Sequence, residues 1–267
     1  MKPVDKPPAP FIIGTYIAGP MEFRLIELET LDVYTALALD EVAFETVKSG
    51  GDPILRFWTW GREAATIGRF QSLEDELDLE IAKDRRMDIT RRMSGGGAMY
   101  HGKGADLVYS ICVPGGVFSE DIIRSYAQVQ SFLVSTLSGL GIVGPMVHDN
   151  SIMVGDRKVS GSSQRRSRNC FLQHGTILHR TDPALMSGVL RFGKERKKER
   201  AVASNIRPVV SVFDLCGAPF EELYKRTLSS FLREGKVISR GWEDEEVKAA
   251  EELAVQRYRS LQWVSRI

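Results

Sequence analysis

The chain has 267 residues, of which 43% are hydrophobic and 27% charged, and its formal net charge at pH 7 is +1. This composition is ordinary for a globular protein large enough to bury a core, and the net charge by itself says nothing about nucleic acid. No apolar run approaches the roughly 18 residues of a membrane helix, which argues against a membrane protein. The three cysteines are odd in number and lack metal-like spacing, so they favour a reducing compartment over a disulfide framework.

Residues 1–20 contain four prolines in the first ten positions and no apolar segment of the signal-peptide type. We therefore predict an extended N-terminal tail and a cytoplasmic protein. Residues 21–267 contain no internal repeat and no sharp change of composition, which indicates a single domain.

The first half of this domain alternates strand and helix patterns. Residues 21–30 alternate apolar and polar side chains as a strand does, and a helix ending near Gly50 follows. The remaining elements predicted here are strands at 53–60 and 64–70 joined by a turn at Gly61, a helix at 78–87 and a strand at 88–90.

The second half begins with a predicted strand at 106–114, and Ser119 is the predicted N-cap of a helix over 120–141 whose apolar stripe starts at Ile122. Further predicted elements are a hairpin at 151–161 with Gly155 at its tip, a strand at 171–180 and helices near 220–234 and 243–258. Strands joined by hairpins and interrupted by helices predict an α+β fold with a mixed, largely antiparallel sheet flanked by helices.

The segment "RRMSGGGAMYH", from Arg91 to His101, places two arginines directly before three consecutive glycines. Backbone N–H groups of a glycine-rich turn can point inward together and bind an anion, and arginine suits phosphate. A tight turn with surface arginines is an equally good interpretation of the triplet alone. The segment matches neither a Walker loop nor GxGxxG.

Two later segments also carry candidate chemistry. "GDRKVSGS" places Lys158 on a strand beside small residues, and "HGTIL" places His174 in an apolar strand. Taken singly, a solvated strand lysine and a satisfied core histidine are the commoner interpretations.

Together, in this order and spacing, the three segments closely resemble the catalytic domain of lipoate–protein ligases. The resemblance extends to "LRFWTWGREAATIGRFQ" and "HDNSIMV" and covers residues 23–206. It implies the mixed-sheet α+β fold that this family shares with biotin ligases and, more distantly, with class II tRNA synthetases.

The resemblance also implies roles for individual residues. Lys158 would be the catalytic residue, contacting both the acyl carboxylate and the α-phosphate. ATP would be held, with Mg²⁺ on its phosphates, by Arg92, Gly97, Ala98, Met99, Tyr100, Asn150 and Lys158. Lipoate would be bound by Trp58, Gln71, Arg91, Ser94, Gly95, Gly96, His101, Lys158, Ser160, Gly161, His174 and Gly175. No side chain is assigned as a metal ligand.

The activity implied is ATP-dependent activation of lipoate or octanoate to an acyl-AMP, followed by transfer to a lysine of a lipoyl-acceptor protein. Two departures from the family pattern stand out. Gly102 follows His101 where family members usually have Asp, and the chain is about as long as a catalytic domain alone. The length predicts no C-terminal accessory domain and a separate small accessory protein as partner.

Two alternatives remain open at this stage. The first is an octanoyl or lipoyl transferase of the same fold, which needs an activated cysteine near the acyl carbonyl. Cys112, Cys170 and Cys216 do not match the positions of such nucleophiles, and we interpret all three as structural. The second is a non-catalytic nucleic-acid binder, because residues 157–200 contain 12 Lys and Arg against 3 Asp and Glu. This basic stretch lacks interleaved aromatic residues and suits an acidic lipoyl domain equally well.

Overall fold

The computed structural model describes residues 21–191, 202–204, 207–232 and 236–267. The predicted N-terminal tail, residues 1–20, and most of the basic segment after Arg191 lie outside these described residues.

An eight-stranded sheet forms the centre of the fold. Strand β1 runs parallel to both of its neighbours, and the other pairings are antiparallel, as predicted for a mixed sheet. In spatial order the strands are β11 (Lys236–Ser239), β1 (Glu22–Leu31), β2 (Ile54–Trp60), β6 (Asp106–Pro114), β10 (Cys170–Leu178), β9 (Arg157–Ser167), β8 (Ser151–Val154) and β7 (Pro145–His148).

Helices cover both faces of this sheet, so its central strands are buried on both sides. Because successive strand residues point to opposite faces, Phe57 packs with one set of helices and Trp58 with the other. One face carries α4 (Ile122–Gly139) and α7 (Phe220–Leu232), and the other carries α1 (Val33–Lys48) and α8 (Asp244–Leu253), which continues as a π-helical turn, Ala254–Tyr258. The shorter helices are α2 (Leu73–Glu76), α3 (Leu79–Asp84), α5 (Pro183–Val189), α6 (Val212–Cys216) and α9 (Leu261–Val264).

A second sheet of three strands presents the glycine-rich segment. Its order is β4 (Asp88–Arg91), β3 (Ala64–Ile67), β5 (Met99–His101), with β3 parallel to β4 and antiparallel to β5. The strands predicted on either side of Gly61 therefore belong to different sheets. The glycine segment itself connects β4 to β5.

The start of α4 differs from the prediction. The N-cap is Asp121, whose carboxylate accepts the backbone N–H of Arg124 at 2.7 Å, whereas the Ser119 hydroxyl accepts from the Asp121 N–H at 3.2 Å. Ile122 is 57% exposed and is not part of the buried stripe. A serine two residues before the true cap satisfies the capping pattern locally, so the sequence alone did not separate the two. Among the described helices, none has the length and apolarity to cross a membrane.

Candidate functional site

A cavity lies between the α1 side of the large sheet and the glycine-rich segment of the small one. Twelve of the residues singled out from the sequence line it: Trp58, Arg92, Gly96, Gly97, Ala98, Met99, His101, Asn150, Lys158, Gly161, His174 and Gly175. The cavity therefore brings the three sequence motifs together. Six other predicted site residues do not line it, namely Gln71, Arg91, Ser94, Gly95, Tyr100 and Ser160.

Arg92 holds the glycine segment in shape from inside the cavity wall. Its guanidinium donates to the Thr66 hydroxyl at 2.7 Å and to the carbonyls of Gly95 and Gly97 at 3.0 and 2.8 Å. Gly96, between them, has φ of +86°, a conformation that side chains with a Cβ rarely adopt. Burial lowers the pKa of Arg92 to about 10, because no carboxylate of the described residues pairs with this cation.

The loop is packed closely on both sides. A Cβ placed on Gly68 would lie 2.1 Å from the carbonyl oxygen of Gly96, so only glycine fits beneath the loop. On the other side the Ser204 hydroxyl accepts the backbone N–H of Ala98 at 2.8 Å and the Gln71 amide at 3.0 Å. These contacts fix a bare backbone edge that faces the cavity.

Lys158 enters the cavity from β9 with its charge uncompensated. Among the residues that the structure describes, no carboxylate forms an ion pair with it. Burial, together with the positive charges of Arg207 and Arg92, lowers its pKa to about 8. Three cations around one cavity create a site that favours a negatively charged ligand.

A buried chain of hydrogen bonds runs from α1 to the cavity wall through His174. The Asp40 carboxylate accepts from Arg56 Nη1 at 3.1 Å and lies 2.6 Å from His174 Nδ1. On the other side of the ring, Nε2 lies 2.7 Å from the Ser94 hydroxyl and 2.8 Å from that of Ser163. Burial acts to raise the Asp40 pKa, but the His174 hydrogen bond and the Arg56 charge outweigh it, and the pKa is lowered.

His101 occupies the far wall of the cavity. Its Nε2 lies 3.0 Å from the Thr66 hydroxyl, and its ring packs against Trp60 with centroids 4.4 Å apart. Burial lowers its pKa although Asp106, 3.7 Å away, acts in the opposite direction. A neutral imidazole that packs on an indole gives this wall an apolar character.

Arg91 is turned away from the cavity, in contrast to Arg92. Its guanidinium donates to the carbonyls of Gly68 and Gln71 at 3.0 and 2.6 Å, and to that of Val264 at 2.6 Å. Adjacent residues at the end of a strand point to opposite faces, so only one of the two arginines can reach the ligand space.

The other predicted residues outside the cavity are engaged in similar support. Tyr100 donates to Glu63 at 3.3 Å, and Gln71 accepts the Gly68 N–H at 2.8 Å. The Ser94 hydroxyl lies within hydrogen-bond distance of His174 Nε2, and the Gly95 carbonyl accepts a hydrogen bond from Arg92. The Ser160 side chain is buried without a hydrogen-bond partner in the described part of the chain.

Several cavity or supporting residues were missed from the sequence: Asp40, Thr66, Asp149, Ser163, Ser204 and Arg207. None of the six was assigned a role, although Asp149 lies within the segment HDNSIMV and Ser163 directly follows GDRKVSGS. The role of each residue is recognised only from its contact with one of the motifs in the folded structure. A buried Asp within the apolar stripe of α1 was the one local signal available.

None of the cysteines lines the cavity. Cys112 and Cys170 are buried between the sheet and α1 with their sulfurs 3.5 Å apart, and burial raises the pKa of Cys112 well above its usual range. Cys216 is exposed on α6. The cavity thus offers cations and a bare backbone, and no thiol.

Comparison with known proteins agrees with this geometry. The family model of the lipoyl protein ligase A/B catalytic domain matches residues 32–232. Lipoate-protein ligase A subunit 1 of Thermoplasma acidophilum is 29% identical over 261 residues, covering 91% of this chain and 96% of that protein. Octanoyltransferase LipM of Brevibacillus brevis is 28% identical over 278 residues, covering 91% and 98%.

Two solved structures are similar over most of their length. A lipoate-protein ligase A bound with ATP has a TM-score of 0.76 at 26% identity, covering 92% of this chain and 98% of that one. A bi-partite lipoate protein ligase of T. acidophilum, described with its E2 lipoyl domain, has a TM-score of 0.78 at 25% identity, covering 92% and 96%. The family match spans most of the chain and includes all three motifs that line the cavity. The chain belongs to the lipoyl protein ligase A/B catalytic domain family.

Proposed function

We propose that this protein is an ATP-dependent lipoate–protein ligase, which converts lipoate or octanoate to an acyl-AMP and transfers the acyl group to a lysine of a lipoyl-acceptor protein. The observation that carries the proposal is the set of cations, Arg92, Lys158 and Arg207, around a cavity with no cysteine in its wall. Ligases and octanoyltransferases both occur in the family, so the choice between them rests on this cavity.

The chemistry of activation explains why the cations are needed. A carboxylate is a poor electrophile, and it becomes reactive when its oxygen attacks the α-phosphorus of ATP and pyrophosphate leaves. Two anions must meet, and charge develops on the phosphoryl oxygens. Lys158 and Arg92 offset the repulsion and stabilise the transition state, as fixed charges in a water-poor site do. The bare backbone from Gly96 to Ala98, which lines the cavity, would lie against the acyl-adenylate.

The alternative is a transferase that carries the acyl group on cysteine. That mechanism needs a thiolate at the acyl carbonyl, and a reactive thiol has a lowered pKa and some exposure. Cys112 has a raised pKa and is buried against α1 with Cys170, and Cys216 is exposed on α6, away from the cavity wall. These positions favour the ligase.

Such enzymes use ATP as its Mg²⁺ complex. The described residues contain no cluster of three or more metal-binding side chains. Mg²⁺ commonly uses one or two carboxylates together with substrate phosphates. Asp149 and Asn150 line the cavity and would hold the ion with the phosphates. The ion would supply additional neutralisation of phosphate charge.

We further propose that residues 21–267 act as the catalytic unit beside a second, smaller subunit and a lipoyl domain. The support is the similarity to a protein named subunit 1 and to a bi-partite ligase described with an E2 lipoyl domain. Binding to duplex DNA is not part of the proposal.

Mass spectrometry under non-denaturing conditions tests the proposal. The purified protein is incubated with ATP, Mg²⁺ and lipoate or octanoate, and in parallel with an octanoyl thioester. We expect a noncovalent acyl-AMP in the first sample that disappears when ATP is omitted. An acyl group covalently attached to cysteine in the second sample, without acyl-AMP in the first, would establish the transferase instead.

A further inference from the structure

Acyl transfer poses a second chemical problem that the cations do not solve. The acceptor lysine must attack as a neutral amine, and the nitrogen carries a surplus proton once the C–N bond has formed. A group that accepts this proton at the right place accelerates such a step by about 10²–10⁴-fold. Lys158 lies among positive charges and would contact the adenylate as an ammonium ion. An ammonium ion has no lone pair, so it is poorly suited to take a further proton.

We propose that His174, oriented by Asp40, is the proton acceptor of the transfer step and acts through the Ser163 hydroxyl. The inference rests on the proposed function. Asp40 is a positioning residue in this scheme, because it does not reach the cavity. Ser163 is the group that would touch the attacking amine.

The tautomer of His174 follows from the groups around it. Asp40 is ionised, since its pKa is lowered, so Nδ1 carries the proton and donates it to the carboxylate across 2.6 Å. Nε2 then carries a lone pair and accepts from a serine hydroxyl. Ser163 lies 2.8 Å from Nε2 and lines the cavity, whereas Ser94 lies 2.7 Å from Nε2 and does not.

The position of Ser163 relative to Lys158 suits the reaction. Gly161 and Ser163 lie two residues apart on β9, so they share one face, about 7 Å apart. The Lys158 amine lies directly over Gly161. A carboxyl carbon bound at this amine therefore lies within reach of an amine that approaches past Ser163.

The step balances as follows. The acceptor nitrogen uses its lone pair to form a bond to the acyl carbon, and the bond from that carbon to the phosphate oxygen breaks. AMP leaves with that electron pair. The nitrogen gives its surplus proton to the Ser163 oxygen while the Ser163 proton passes to Nε2. The resulting imidazolium is stabilised by Asp40 and later releases its proton to solvent.

Asp40→Asn provides a sharp test because Arg56 fixes how the new amide is oriented. The amide oxygen accepts from Arg56, so the amide NH₂ faces His174 Nδ1. Nδ1 must then accept, which places the ring proton on Nε2 and removes the proton acceptor. A carboxylate-to-amide change in a Ser–His–Asp array disables catalysis in this way with little change of geometry.

The experiment separates the two half-reactions. Asp40→Asn, His174→Gln and Ser163→Ala are each assayed for acyl-AMP formation, for reaction of preformed octanoyl-AMP with hydroxylamine, and for transfer from octanoyl-AMP to a purified lipoyl domain. Hydroxylamine is largely unprotonated at neutral pH, and because it is a weak base its adduct loses the surplus proton readily to water, so it does not need the relay. His179→Gln is the matched control, since this buried histidine follows β10, donates to the Ala218 carbonyl and lies outside the cavity.

We expect the His179→Gln control to match wild type in all three assays. In the first three variants, transfer to lysine should fall by about 10²-fold or more beyond any loss of acyl-AMP or hydroxamate formation. Raising the pH should partly restore their transfer. Unchanged transfer, or an equal loss with hydroxylamine, would overturn the inference. If Asp40→Asn and His174→Gln fail to fold, Ser163→Ala, which removes a single hydroxyl, decides. A wild-type chain that makes no acyl-AMP would refute the proposed function and this inference with it.

Discussion

The Lys158 amine lies over the Cα of Gly161, so close that a Cβ at position 161 would come within 2.5 Å of Nζ. The two residues are separated by a bulge in the pairing of β8 with β9. The lysine side chain therefore lies along its own strand and passes over Gly161, the only glycine of β9. This contact directs the ammonium group into the cavity.

Gly161→Ala should displace Lys158 without unfolding the protein, because the atom that must move is the end of a flexible side chain. We expect the unfolding free energy to change by less than about 1 kcal/mol and the rate of acyl-AMP formation to fall about 10²-fold, as for a misplaced catalytic group. Chemical denaturation and pyrophosphate release measure the two effects. Gly139→Ala, at the end of α4 with no atom closer than 3.9 Å, is the control and should change neither.

Lys158→Met should make the protein more stable and inactive. The Lys158 pKa is lowered from 10.5 to about 8, so the charge opposes folding fully below pH 8, and this cost disappears as the pH rises from about 8 to 10.5. We expect a stability gain of up to about 3 kcal/mol at pH 7 and well under 1 kcal/mol above pH 10. Wild-type acyl-AMP formation should decline as the pH rises through about 8. A variant less stable than wild type at pH 7 would contradict this account.

Gly96→Ala tests whether the glycine segment is needed for ligand binding or only for a backbone of positive φ. Gly96 and Gly116 have φ of +86° and +88°, but a Cβ at 96 would lie 3.2 Å from the Ser163 Cβ, whereas nothing lies within 4 Å of one at 116. Both alanine variants should lose about 1 kcal/mol of stability. Calorimetric titration with ATP and octanoate should show weakened binding only for Gly96→Ala. Equal binding in the two variants would mean that the segment is only a turn.

The sequence predicted the longer elements and the three motifs because each depends on local spacing, whereas short elements such as β7 and β11 were not predicted. The strand carrying Lys158 and the hairpin tip at Gly155 lie where they were predicted. The Asp40–His174 contact was not predictable, since 134 positions separate the two residues and only the packing of α1 on the sheet joins them. The opposite orientations of Arg91 and Arg92 also depend on tertiary structure. A doublet in the sequence cannot show which arginine faces the cavity.

The cysteines should be dispensable for activity. A variant with Cys112 and Cys170 replaced by alanine, and Cys216 by serine, should still form acyl-AMP at close to the wild-type rate. The two buried changes remove packed sulfur, so we expect a stability loss of about 1 kcal/mol for each. Rates are therefore measured at a temperature where circular dichroism shows the variant folded. In the native wild type, iodoacetamide should label Cys216 alone.

Arg91 should prove structural and Arg92 functional, although the resemblance to the family assigned both to ligands. Arg91→Met removes donors from the carbonyls of Gly68, Gln71 and Val264, and we expect the unfolding free energy to fall by about 2–4 kcal/mol. Hydrogen exchange should speed up in α9, which these bonds attach to the turn beneath the glycine segment. Arg266→Met is the control, because within the described residues this exposed side chain donates to one carbonyl, that of Arg69, and otherwise lies over the Trp263 ring.

The affinity of the two variants for ATP should distinguish the roles of Arg91 and Arg92 further. At a temperature where all variants are folded, Arg91→Met should bind ATP within a few-fold of wild type, and Arg92→Met should lose most of its affinity because a buried cation facing the cavity is gone. Calorimetry measures both. If Arg91→Met weakened ATP or octanoate binding by more than about tenfold, equivalent to 1.4 kcal/mol, without loss of stability, Arg91 would have to be a ligand contact. The bonds to the carbonyls of Gly68 and Val264 would then have to break when the ligand binds.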